Sequence, residues 1–73
     1  MSEVTDLERS ILSVIIRDSH RASAITKILL GRHIKCDQNE VVQTLNSLEK
    51  RNLVERFTAK SWIAKGKAED YVK

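Results

Sequence analysis

Two short tetrads constrain this chain more than any other feature. Thr5-Asp6-Leu7-Glu8 and Asp37-Gln38-Asn39-Glu40 each place a side-chain acceptor three residues ahead of a glutamate, just before an apolar stripe. Such a pair satisfies two orphan amide donors of a helix's first turn reciprocally, so each tetrad marks a helix start. After the first, Leu7, Ile11, Val14 and Ile15 recur at i, i+4, i+7 and i+8. This predicts a helix over 5–17 with one apolar face, widened by Leu12 and Ile16, and with Val4 stapling its entry. After the second, Val41, Leu45 and Leu48 predict a helix over 38–51. Asn52 tolerates the left-handed conformation that ends such a helix. Between the two, Ile25, Ile28 and Leu29 predict a shorter helix over 22–30, with Gly31 as its left-handed terminator. Residues 18–21 read as a polar break. Residues 32–36 read as a turn in which Ile34 points inward.

Beyond the third helix the period changes. Residues 53–57 mix apolar, β-branched and aromatic side chains with charges and read as a strand, 58–61 form a polar tip, and Trp62-Ile63-Ala64 reads as a returning strand that Gly66 stops. A lone hairpin is marginal in water, so this one must lay its apolar side on the helices. The predicted fold class is mainly α with a small β-hairpin: one domain over 1–73, its core at about 5–65, and 67–73 a frayed C-terminal tail. A chain of 73 residues buries only about 60% of its unfolded surface, which leaves one layer of core and no deep substrate cavity.

Charge is unevenly placed. Residues 1–18 carry four acids against two arginines, net −2, whereas 19–67 carry ten lysines and arginines against four acids, net +6. That asymmetry suits a polyanionic partner. At about 100° per residue, the face of the third helix opposite Val41, Leu45 and Leu48 contains Asn39, Gln43, Asn46, Ser47 and Lys50. A stripe built only for stability draws more often on glutamate–lysine pairs than on four uncharged polar residues. No catalysis, cofactor or metal is expected. His20, His33 and Cys36 do not complete the ligand set of a zinc site, and the single cysteine excludes an internal disulfide. A nucleophilic Cys36 would need a positioned base, and no Gly-rich phosphate loop or paired-carboxylate motif occurs. No apolar run reaches the ~18 residues of a membrane span, and the acidic start is unlike a secretory signal. An intracellular location is the expectation.

The order of three helices, a short turn between the second and third, and a terminal hairpin resembles the winged helix-turn-helix superfamily over about residues 5–65. The tract Leu45-Asn46-Ser47-Leu48-Glu49-Lys50-Arg51-Asn52-Leu53-Val54-Glu55-Arg56 carries most of the likeness. Asn52 stands where that family usually has glycine. The resemblance implies double-stranded DNA as partner and transcription regulation as role, with the third helix in the major groove and the wing on the adjacent backbone. Asn39, Gln43, Asn46, Ser47 and Lys50 are then the base readers, since amides pair in bidentate fashion with adenine and lysine reaches guanine or phosphate. Arg32, Lys35, Arg51, Arg56 and Lys60 are the backbone contacts, with Lys65 and Lys67 nearby. A weaker similarity is to Zα-type domains that bind left-handed nucleic acid. Trp62 matches their wing tryptophan and joins the contact set, but Val42 and Asn46 stand where they have asparagine and tyrosine, and their wing proline pair is absent. Winged helices also serve as protein-docking modules. Exposed Val42, Phe57 and Trp62 would favour docking, and buried ones would favour nucleic acid. The first helix carries more apolar residues than one core face requires, which predicts a homodimer through it.

Overall fold

A computed structural model describes residues 4–16 and 18–72. In chain order these form α1 (Asp6–Ile15), β1 (His20–Arg21), α2 (Ala22–Gly31), α3 (Gln38–Lys50), β2 (Val54–Arg56), β3 (Ser61–Ala64), a 3-10 turn (Gly66–Ala68) and α4 (Glu69–Val72).

Both capping boxes form. The Glu8 amide donates to Thr5 Oγ1 at 3.1 Å while the Thr5 amide donates to Glu8 Oε1 at 2.8 Å. The Glu40 amide donates to Asp37 Oδ1 at 2.8 Å, and the Asp37 amide to Glu40 Oε1 at 3.2 Å. In α3 the apolar stripe runs as the periodicity predicts, whereas in α1 it is shifted toward Leu12, with Leu7 and Val14 at its margin. Ile11, Leu12 and Ile15 of α1 and Val41, Leu45 and Leu48 of α3 are fully buried. Leu7, Val14 and Ile16 lie half-buried against the same cluster, as does Val4 beside the start of α1. Arg17, the expected end of the first helix, lies outside the described residues.

The ends of α2 and α3 share one geometry. Ile34 donates to the Leu29 carbonyl and His33 to that of Leu30, each at 3.0 Å. Likewise, Leu53 donates to Leu48 and Asn52 to Glu49, each at 3.0 Å. Paired bonds of this kind require a left-handed residue one place beyond the cap and draw the next apolar residue onto the helix. The left-handed positions are His33 (φ 65°) and Asn52 (φ 62°). Asn52 is therefore as expected, but Gly31 is not the terminator. It is the last helical residue of α2, two positions early, because the chain must turn where Ile34 can fold back onto the core. The buried edge of α2 is also shifted from the expected Ile25, Ile28 and Leu29. It comprises Ile25, Thr26 and Leu29, with the Thr26 hydroxyl satisfied by the Ala22 carbonyl at 2.8 Å.

Residues 18–21, expected to be a polar break, include the two-residue strand β1. It completes a three-stranded antiparallel sheet in the order β1-β3-β2, with His20 opposite Trp62 and Val54 opposite Ala64. The end of the chain differs from a frayed tail as well. Ala68 is fully buried, and Tyr71 and Val72 of α4 pack on the core. Because α4 lies on α1, it covers part of the apolar surplus that suggested a dimer contact. Between them remains a shallow groove lined by Ser13, Val14, Ile16, Asp18 and Val72.

Two stability measurements test this packing. Leu45→Ala removes a fully buried side chain and is expected to cost ~2–5 kcal/mol in a denaturant titration. An unchanged transition would show that α3 is phased wrongly. Gly31→Ala places a better helix former at a helical position whose added Cβ meets nothing within 4 Å. It is expected to raise stability by ~0.5–1 kcal/mol. A left-handed Gly31 would give the opposite sign.

Candidate nucleic-acid interface

Burial of one edge of α3 decides what the other presents. Asn39, Gln43, Ser47 and Lys50 are exposed and Asn46 is half-buried, on the side away from Val41, Leu45 and Leu48. Lys50 is the one charged member of this set. The rest offer amide and hydroxyl groups that both donate and accept. The outer stripe of α3 is thus a row of directional hydrogen-bonding groups on a rigid helix.

The expected cations divide into groups. Lys35, in the turn before α3, and Lys60, at the hairpin tip, are exposed. Arg32 is exposed too, but its Nη1 donates to Ser13 Oγ of α1 at 3.3 Å. Arg51 caps α3, and its Nη1 lies 3.2 Å from both carboxylate oxygens of Glu8, the same carboxylate that caps α1. That ion pair ties the C-terminal end of α3 to the N-terminal end of α1, so Arg51 has a structural employment that the sequence does not reveal. Arg56 is exposed at the end of β2, with its guanidinium carbon 4.8 Å from the centroid of the Trp62 ring.

Trp62 departs most from expectation. Placed among the contact residues by the sequence, it is only 6% exposed and belongs to the core cluster. In the register of the sheet it shares a face with His20, Arg56 and the buried Val54, and its ring packs with the core. Of the three residues that were to separate docking from nucleic-acid binding, Trp62 is buried, Val42 half-buried, and Phe57 63% exposed. Leu30 of α2, at 51% exposure, is a further large apolar side chain on the surface, one that the sequence pattern does not single out.

The wing itself is short and tied. The Phe57 amide donates to the Ser61 carbonyl at 2.9 Å, and Thr58 Oγ1 accepts from the amides of Lys60 and Ser61 at 3.3 and 3.1 Å. These bonds hold Lys60 at the apex. Among the described residues no group of three or more His, Cys, Asp or Glu side chains could hold a metal ion. No helix among them is long and apolar enough to cross a membrane. Cys36 is half-buried, and its thiol is pushed above its ordinary range by burial first, then by the carboxylates of Glu40 and Asp37.

Comparison with known proteins returns the fold. Neither the protein-family models nor the curated proteins give a match. Among solved structures, the hsRosR-S1 complex aligns with a TM-score of 0.79 at 17% identity, over 96% of this chain and 67% of that one. The hsRosR-S4 complex aligns at 0.80 and 17%, over 96% and 65%. The chain thus spans about two thirds of those chains. At this identity the likeness speaks for architecture alone, and the architecture is the winged helix-turn-helix that the element order resembled.

Because the thiolate is the reactive form, a raised thiol is a slow nucleophile. Alkylation of Cys36 at pH 7 is expected to run slower than that of an unstructured cysteine peptide, and to accelerate on unfolding. Equal rates in folded protein and peptide would contradict the burial of this thiol.

Proposed function

We propose that this domain binds double-stranded DNA and serves transcription regulation, with α3 in the major groove and the wing on the flanking backbone. One observation carries the reading. The outer edge of α3 is an exposed run of Asn39, Gln43, Asn46 and Ser47 ending in Lys50, whose groups match the donor and acceptor code of base edges. Lys35 in the turn before α3 and Arg56 and Lys60 in the wing after it supply exposed cations. Base-reading amides flanked by phosphate-seeking cations are the division of labour that duplex recognition requires. Arg32 and Arg51 contribute less in this reading, because each already reaches a side chain of α1.

A protein-docking function is the second reading, and Phe57 is the observation in its favour. A phenylalanine 63% exposed at the hairpin is a candidate anchor for an apolar pocket. Burial of Trp62 withdraws the larger of the two aromatic anchors that such a module would use.

Titration of a duplex library across a salt series separates the two. Log affinity is expected to fall linearly with log salt, by roughly 0.9 per phosphate contact. Lys60→Ala should weaken binding about equally on all sequences and flatten that slope by about one unit. Gln43→Ala should leave the slope nearly intact and lower affinity for the preferred site, since an amide carries base information without charge. No duplex binding at low salt, together with loss of a protein partner in Phe57→Ala, would replace this reading with docking.

A further inference from the structure

The sheet holds a cross-strand row that no stretch of sequence displays. β3 lies between β2 and β1, and its Trp62 stands opposite Arg56 on one side and His20 on the other. Directly opposed residues of antiparallel strands project to the same face and interact. Here that pairing sets the Arg56 guanidinium 4.8 Å from the Trp62 centroid, while the ring is held in the core at 6% exposure. The ring is therefore a fixed platform, and Arg56 is the exposed group resting on it.

An arginine on a hairpin ordinarily samples many rotamers and must surrender that freedom on binding. Stacking removes part of this cost in advance. A guanidinium set over a ring can turn its π face to the indole while its N–H donors, which lie in its own plane, remain free to point outward from the edge. Stacking on tryptophan and a bidentate contact to an anion are therefore compatible, and the first orients the second. Lysine could supply the charge but not the planar stack.

We propose that Trp62 is a positioning residue, one that holds the Arg56 guanidinium ready for a phosphate of the duplex backbone. This rests on the duplex reading above. It gives the tryptophan a binding role exercised through Arg56, without direct contact with the nucleic acid.

The test titrates one duplex at several salt concentrations against the full chain and four variants, following both affinity and the emission of the chain's single tryptophan. Arg56→Lys keeps the charge and loses the stack, and is expected to weaken binding roughly two- to five-fold. Arg56→Gln should weaken it further and flatten the salt slope by about one unit. Trp62→Leu should fall to the level of Arg56→Lys with its helical circular dichroism intact, and Trp62→Phe, which retains an aromatic face, should recover most of the loss. Duplex binding should shift wild-type tryptophan emission, and Arg56→Gln should abolish the shift. If Trp62→Leu does not fold, Arg56→Lys and the emission comparison decide. Wild-type affinity for Arg56→Lys, or an emission shift that persists in Arg56→Gln, would overturn the positioning role while leaving duplex binding standing. A wild-type chain that binds no duplex at low salt would overturn both.

Discussion

Burial of Val41, Leu45 and Leu48 fixes the rotation of α3 about its axis, and the rest of the molecule's surface chemistry depends on that rotation. Each of these side chains contributes ~1.5–3 kcal/mol by leaving water, in a class of domain whose whole stability is about 5–15 kcal/mol. A turn of α3 by one residue would put Asn46 and Glu49 where Leu45 and Leu48 now lie and would carry Gln43 and Lys50 off the outer edge. The hydrogen-bonding row of Asn39, Gln43 and Ser47 is therefore rigid for an apolar reason. Its members need no contacts of their own to stay aligned.

The helix ends carry the next share of the organisation. His33 and Asn52 both accept the left-handed conformation, and the next residue in each case is apolar, Ile34 or Leu53, drawn back onto the core. Two equal reversals thus set how α2 leads into α3 and how α3 leads into the wing. The strain of a side chain at positive φ is offset by the burial that it permits. Leu53 and Val54 then begin β2 already packed, so the hairpin grows out of the core and does not hang from it.

Charge is distributed by the same packing. α1 holds two of the arginines, Arg51 through Glu8 and Arg32 through Ser13, and thereby links the ends of all three long helices. A third, Arg56, is held by a ring and not by a carboxylate, so it keeps its charge uncompensated by an acid at that contact. A net-charge count over 19–67 treats these three as equivalent. In the folded molecule one is paired, one is directed at α1, and one lies over the Trp62 ring and is exposed.

The sequence by itself determined the features whose causes are local. A capping box is complete within four residues, and a stripe at helical spacing needs only its own helix to show which face is apolar. The starts of α1 and α3, their buried faces, the left-handed Asn52 and the hairpin were all legible for that reason. Four features depended on distant chain and were decided only by tertiary structure. The strand β1 is two polar residues whose identity as a strand exists only beside Ser61 and Trp62. The terminator of α2 fell at His33 and not Gly31 because Ile34 had to reach a core built by other helices. The C-terminal residues left the solvent because α1 offered Ala68, Tyr71 and Val72 an apolar surface. Trp62 went inside, with the Arg56 guanidinium over its ring, because the pleat of a strand tells which residues share a face but not which face meets the core.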